Sequence, residues 1–278
     1  MGNIEEFYSE RRMEFYANRA ILWKSYLGLI NWIKLNLAGK NVLDIGSGQG
    51  NFLFSIADKI TEGTGIDISK NMFDFAVKKR NKSNYSNIAF LNKDFRILVP
   101  EGKFDCIFSI DGVIPSILSD DYSPEQLFGA IGKMLKPDGK VLLEFYSVDN
   151  GPIERESQEK QLPDNVRSFL TRHHLLFDEI TLISETADIN ERIYACRKTG
   201  TNIIYSLITE GDETEILEFY CIFPEEMKRI IEKSGFLLEG EFGISIDHGT
   251  PVFKDYKQCG YSKIWTVLLR KEYENFRL

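Results

Sequence analysis

The stretch Asn41-Val42-Leu43-Asp44-Ile45-Gly46-Ser47-Gly48-Gln49-Gly50 constrains this chain more than any other. A short apolar run that ends in an acid and then in glycines at every second position reads as a buried strand turning sharply into a helix. Glycine serves twice there, because the turn demands backbone angles that a Cβ forbids and because a ligand can come up against bare backbone. The stretch is therefore read as a ligand loop. A dinucleotide loop, G-x-G-x-x-G, would hold a pyrophosphate on the amides of the following helix. Counted from Gly46 and Gly48, the third position of that pattern falls on Asn51, whereas the third glycine is Gly50. Asp44, ahead of the turn, suits a cationic ligand and opposes phosphates.

More strands ending in acids follow. Phe52, Leu53, Ile56 and Ile60 give a helical pattern over 51–60, after which Gly63-Thr64-Gly65-Ile66-Asp67-Ile68-Ser69 reads as a second strand. In any doubly wound sheet its tip lies beside the first, so Asp67 can accept hydrogen bonds from both hydroxyls of a ribose. The structural alternative is that Asp67 caps the helix that begins around Ser69-Lys70-Asn71-Met72. Ile88 to Phe95 is a third strand closing on Asp94, and Phe104 to Asp111 is a fourth. Ser123-Pro124-Glu125 opens a helix to Met134, with serine as cap and proline in the first position. Leu135-Lys136-Pro137-Asp138-Gly139 then forms a turn into a fifth strand, Val141 to Tyr146, since proline stops the helix and glycine lets the chain reverse.

The loop Asp44-x-Gly46-x-Gly48-x-Gly50, the acids Asp67 and Asp94, and the Leu135–Gly139 turn together resemble the class I S-adenosylmethionine-dependent methyltransferases. The resemblance is strong over residues 36–146 and weaker over 223–271. It implies S-adenosylmethionine as cofactor, S-adenosylhomocysteine as its product, and an α/β fold with a doubly wound, seven-stranded, mostly parallel sheet. It also implies a cofactor site built from Asp44, Gly46, Ser47, Gly48, Gly50, Asp67, Ile68, Met72, Asp94, Phe95 and Ser109. Within it Asp67 would take the ribose, Ile68 the adenine face, Asp94 the adenine amino group, and the end of the fourth strand the methionine part. Phe223 to Phe236 supplies a proline-started helix with a glycine stop, and Leu237–Ile246 and Ile264–Leu269 the last two strands. By resemblance the final strand slots antiparallel between the fifth and sixth.

This divides the chain into a helical cap over 1–38, a core over 39–149 and 223–278, and an insertion over 150–222. In the cap, Trp23 to Leu37 has one apolar helical face expected to pack on the sheet edge, and 4–18 is an amphipathic helix laid over the core. Similar N-terminal segments in small-molecule methyltransferases fold over the cofactor, which makes Tyr8 or Tyr16 a closing residue on that resemblance. The insertion begins with a charged stretch, Asp149 to Asp164. Strand-like runs follow at Phe177–Ser184, Arg192–Arg197, Asn202–Thr209 and Glu215–Ile222, separated by turn signals. They read as an antiparallel meander, serving as a substrate lid over the C-terminal edge of the main sheet or as a contact in a homodimer.

Methyl transfer asks mainly for positioning and exclusion of water, although a hydroxyl acceptor usually needs a base. His173 and His174, at the entrance to the insertion, are the candidate bases, and the third histidine, His248, lies in the closing loop. Asp111 and Tyr146 border the expected substrate space by fold position, with Tyr16 beside them and Glu144 inside the fifth strand. The run Lys78-Lys79-Arg80-Asn81-Lys82 reads as a solvated helix end. With 34 basic against 42 acidic residues, the net charge of -8 argues against a nucleic-acid backbone binder and for a neutral or cationic small acceptor. Four dispersed cysteines suggest neither a zinc site nor a disulfide framework, and no metal is expected. The acidic N-terminus and the absence of a spanning run give a cytoplasmic expectation without membrane contact. The expected activity is methyl transfer to a nitrogen or oxygen of a small metabolite. A non-catalytic cofactor-binding or regulatory protein on the same fold is the alternative, and a nicotinamide-dependent oxidoreductase is disfavoured by the glycine spacing.

Overall fold

Near-continuous apolar runs such as Cys106-Ile107-Phe108 and Val141-Leu142-Leu143 dictate a sheet with two covered faces, and a computed structural model shows it. It describes residues 28–31, 33–36, 39–97, 103–110, 112–119, 121–147, 164–174, 176, 179–186, 191–197, 203–210, 213–247, 250–256 and 264–272. The first half alternates strand and helix: β1 (Asn41–Ile45), α1 (Asn51–Ile56), β2 (Glu62–Asp67), α2 (Lys70–Asn81), β3 (Ile88–Asn92) and β4 (Phe104–Ser109). Next come α3 (Val113–Ile117), α4 (Pro124–Met134) and β5 (Leu135–Ser147). β1 to β5 pair in parallel in the order β3-β2-β1-β4-β5. The insertion follows, with α5 (Asp164–Arg172) and the strands β6 (Glu179–Thr186), β7 (Glu191–Arg197), β8 (Ile203–Glu210) and β9 (Glu213–Ile222). After it the chain returns through α6 (Pro224–Lys233), β10 (Phe236–Asp247), β11 (Thr250–Asp255) and β12 (Ile264–Lys271). β12 lies antiparallel between β5 and β10, which completes the seven-stranded core in the expected order. β11 is a strand beyond those expected from the sequence and pairs antiparallel with the outer half of β10.

Side chains alternate across a strand, so each strand feeds two cores. One face carries Leu43, Ile45, Ile107, Val141, Leu143, Phe145, Val267 and Leu269 against α4 and α6 residues such as Phe128, Ile131, Met227 and Ile231. The other carries Val42, Phe108, Leu142 and Leu268 against Leu53 and Ile56 of α1 and against Leu29, Ile30 and Ile33. The helical residues 28–31 and 33–36 therefore cover a face of the sheet and not its edge, because Leu29, Ile30 and Ile33 meet the inner side chains of β1 and β4. The expected helix over 4–18, and with it Tyr8 and Tyr16, lies outside the described residues.

Three boundaries differ from the sequence reading. β3 ends at Asn92, so Asp94 lies two residues past the strand and Phe95 opens a single 3₁₀ turn over Phe95–Ile97. α1 stops at Ile56, four residues short of Ile60, and the chain turns through Ala57–Lys59 with Ile60 still buried. β5 starts directly after α4, since Leu135 pairs with Phe104 before the register jumps to Cys106↔Lys140. The Lys136–Gly139 turn is thus a bulge inside the strand, with Asp138 at φ 57°. α4 itself begins with a capping box: Gln126 N donates to Ser123 Oγ, and Ser123 N to Gln126 Oε1.

In the insertion, β6 to β9 form a sequential antiparallel meander. Its last strand joins the end of β5 in parallel, Tyr146 opposite Cys221 and Ser147 opposite Ile222, so meander and core share one sheet. Among the described residues no helix is long and apolar enough to cross a membrane.

Candidate active site

The site is built where β1, β2 and β4 end. β1 delivers Asp44 to its tip on the face of Val42, and the chain then makes three left-handed turns, at Gly46 (φ 69°), Gly48 (φ 51°) and Gly50 (φ 75°). The three glycines do different work. A Cβ at Gly46 would overlap the Val113 methyls, and one at Gly50 would run into the Phe90 ring, so these two are required by the protein's own packing. Around Gly48 the nearest atom to such a Cβ is Met72 Sδ at 3.9 Å, which leaves open space on the outer side of the loop. The loop is tied down by Gly46 N and Ser47 N, which both donate to Ile66 O at 2.8 and 3.0 Å, and by Gly50 N donating to Ser47 O.

Asp67 stands at the tip of β2 as an acceptor. Its Oδ2 takes the Gly48 amide at 2.7 Å and its Oδ1 the Ser69 amide at 2.8 Å, so it binds the glycine loop to the start of α2. The cap of α2 is Ser69, whose Oγ accepts from Met72 N. Burial pushes the Asp67 carboxyl above its ordinary range, and the two amide bonds draw it part of the way back. Asp44, 3% exposed, is pushed well above that range, first by burial and then by repulsion from Asp67. A buried acid and a half-buried one, one strand apart, form an acidic site that is stabilised by gaining positive charge. Ile68, 39% exposed, adds an apolar surface beside Asp67.

Other predicted positions carry structural duties. Asp94 is gripped by Arg96, with an Nη2–Oδ2 distance of 2.6 Å, and hydrogen bonding from that guanidinium holds its carboxyl below the ordinary range. Phe95 is buried in the core with Leu43, Ile45 and Ile66, and Met72 is buried under the loop. Ser109 is fully buried, and its Oγ donates to Ile45 O at 2.9 Å, tying the tips of β4 and β1 together. Tyr146 stands at the end of β5 with its phenol against Gly112. His173 and His174 are exposed in the turn directly after α5, where the His173 ring packs on Phe169 at 4.4 Å and His174 has φ 52°. None of the described contacts brings either histidine to the glycine loop. Asp111, Tyr16 and His248 lie outside the described residues.

Several contributors escape a reading by motif. Asn92 donates through Nδ2 to the carbonyls of Asp67 and Ile68, at 3.0 and 2.8 Å, and so fixes the turn after β2. Glu144 is fully buried and accepts the Gly112 amide at 2.9 Å. Its signal was present, an acid in the midst of Val141-Leu142-Leu143 and Phe145. Lys79 is not a freely solvated helix end, for it lies 4.5 Å over the Phe54 ring and donates to Asn51 Oδ1 at 2.6 Å. Among the described residues no three His, Cys, Asp or Glu side chains gather as a metal site.

A parallel sheet in this strand order, with an acid and a glycine turn after β1 and an acid at the tip of β2, defines the class I S-adenosylmethionine-dependent methyltransferases. The chain belongs to the methyltransferase-domain family, whose model matches residues 36–219. It is 33% identical over 117 residues to phosphoethanolamine N-methyltransferase 2 of Caenorhabditis elegans, a match covering 41% of this chain and 25% of that protein. It is 30% identical over 132 residues to the ubiquinone biosynthesis O-methyltransferase of Coxiella burnetii, covering 45% of this chain and 53% of the relative. The matched segment thus spans about half or less of these relatives. Among solved structures, a S-adenosylmethionine-dependent methyltransferase from Clostridium acetobutylicum superposes with a TM-score of 0.61 at 15% identity, over 93% of this chain and 95% of that one. S-adenosylmethionine-bound CalS10 from Micromonospora echinaspora, an amino pentose methyltransferase, does so at 0.55 and 12% identity, over 98% and 99%. The family's cofactor is S-adenosylmethionine, and the residues fit it: the open face of Gly48 leaves room against backbone, and the acids Asp44 and Asp67, both with raised carboxyls, favour a cation.

Proposed function

We propose that the chain transfers a methyl group to a nitrogen or oxygen of a small-molecule acceptor, with the insertion as a lid over the reacting centre. The observation that carries this reading is the junction of β9 with β5 at Tyr146 and Ser147, which brings the meander to the C-terminal edge of the parallel strands. Ligands of open α/β sheets bind at that edge. Curated relatives that include an N-methyltransferase and an O-methyltransferase support both acceptor atoms.

When bound, S-adenosylmethionine supplies a methyl carbon already activated by its sulfonium. Asp67 would hold the ribose hydroxyls, using lone pairs beyond the two given to Gly48 and Ser69. Ile68 would lie on the adenine and Asp94 at its edge, while Asp44 and the Gly46–Gly50 loop face the cationic part. Asp111 and Tyr146, with Tyr16 from the N-terminal cap, would border the acceptor. What this chain contributes is orientation and the exclusion of water, which suffice for an amine that arrives neutral. For a hydroxyl acceptor His173 or His174 is the base on offer, and would have to be carried to the site by closure of the lid.

Calorimetric titration with S-adenosylmethionine, S-adenosylhomocysteine and NADH, followed by transfer of labelled methyl into a broad metabolite extract, tests this. Binding of the first two alone and labelling of an amine or hydroxyl compound is the expected outcome. Cofactor retention without transfer to any metabolite would leave the non-catalytic alternative, and binding of NADH would overturn the reading. A dimer in light scattering that disperses when β6 is altered would assign the meander to an interface instead.

A further inference from the structure

Resting on that reading, we infer that Glu144 is a positioning residue, which sets the cofactor loop and the substrate insertion in register by holding the backbone of Gly112. Glu144 Oε1 accepts the Gly112 amide at 2.9 Å from a fully buried position. Gly112 is the left-handed residue (φ 76°) before α3 and has no side-chain cap of its own. On one side the next residue, Val113, spreads its methyls over the Cα of Gly46, the first glycine of the loop. On the other, the Tyr146 phenol oxygen stands 2.5 Å from where a Gly112 Cβ would be. Tyr146 is also the residue that pairs with Cys221 of β9, and α3 packs on both β5 and β9. A single buried acceptor thus fixes the segment on which the glycine loop and the last strand of the insertion both lean.

The side chain is placed for this and not for proton transfer. Residues 142, 144 and 146 share one face of β5, the face on which Val42 and Asp44 lie in β1, so Glu144 sits beneath the loop after β4 and is closed off from solvent. A buried carboxylate is costly unless its oxygens are engaged, and here an otherwise uncapped helix start engages it. Alanine at this position removes the acceptor, whereas glutamine keeps a carbonyl oxygen that can accept the same amide.

The test uses the purified full chain and S-adenosylhomocysteine as the probe, with calorimetric affinity, thermal unfolding and hydrogen exchange of a peptide covering 110–118. Glu144→Ala should weaken affinity tenfold or more and speed exchange in that peptide while a cooperative unfolding transition remains, and Glu144→Gln should stay within threefold of wild type in affinity. Wild-type affinity in the alanine variant overturns the inference, and so does a glutamine variant as impaired as alanine, since charge and not placement would then matter. If Glu144→Ala has no folding transition, Gly112→Ala and Gly112→Ala/Tyr146→Phe decide. The single variant should lose affinity and the double should recover at least half of the loss in logarithmic terms, and an affinity untouched by the single variant overturns the proposal. Failure of the wild-type chain to bind the probe is a different result, and strikes the parent reading.

Discussion

The glycine loop and the antiparallel meander occupy opposite ends of a scale. In the loop, function sits on the chain itself: within ten residues, 41–50, a strand, an acid and three left-handed glycines follow one another, and little tertiary context is needed to see a ligand turn. In the meander, strand follows strand with ordinary alternation, and its relevance rests on two residue pairs, Tyr146↔Cys221 and Ser147↔Ile222, that attach β9 to β5. A cofactor common to a family is read by backbone, whereas an acceptor particular to one chain is read by whatever surface the sheet's open edge is given. The loop should therefore tolerate almost nothing and the meander a good deal.

The largest effect expected is at Gly46. Gly46→Val sets a branched side chain at φ 69° against Val113, and left-handed strain plus overpacking should cost about 3 to 5 kcal/mol in urea unfolding. Gly48→Val meets strain alone, about 1 to 3 kcal/mol, yet should abolish cofactor binding. Equal destabilisation by the two would break the division of labour among the glycines. Next comes Leu207 of β8, which is fully buried. Leu207→Ala should destabilise the meander by about 2 to 5 kcal/mol. Cofactor affinity should change less than threefold, and a proportionate loss would mean that meander and core unfold as one.

A smaller change is expected at Asp67. Asp67→Ala should weaken cofactor binding by roughly 1.5 to 3 kcal/mol, as charged hydrogen bonds to two hydroxyls are lost, and Asp67→Asn by less. Unchanged calorimetric affinity would reduce Asp67 to its two bonds with Gly48 and Ser69. The mildest prediction concerns pH. Because the folded-state carboxyl of Asp44 is raised, the native protein binds more protons than the unfolded chain between the ordinary carboxylate range and the raised value. Its contribution to stability is therefore complete at low pH and lost as pH rises through that window. Asp44→Asn should raise the Tm of the ligand-free protein at neutral pH, with the gain shrinking on acidification, while weakening its hold on S-adenosylmethionine. A lower Tm at neutral pH would show that the carboxylate is stabilised by a partner.

How much was legible in the chain follows from the same contrast. The strands of the first half, the acids at the ends of β1 and β2, and the four runs of the meander were readable because each rests on a local rule, whether an apolar run, a glycine turn or a helix stop, whereas the order of the strands in the sheet came only with the family resemblance. β11 was not, and neither was the strand character of Leu135–Gly139, because pairing with β10 and with Phe104 comes from distant partners. The run at Lys78–Lys82 looked like a solvated helix end by composition. Folding laid Lys79 across Phe54 and Asn51, and burial lowers its pKa.

The sequence by itself determined that a strand, an acid and a flexible turn would meet a cationic ligand, since those properties belong to residues adjacent in the chain. Only the tertiary structure decided which glycines serve packing and which the ligand. Val113 and Phe90, 67 and 40 positions along the chain from Gly46 and Gly50 respectively, crowd those two glycines and leave Gly48 bare. It also decided that Glu144, an anomaly in an apolar strand, would find the Gly112 amide. Backbone conformation is a local property of the chain, but the partner of a buried charge is set by what the fold brings within hydrogen-bond reach of it.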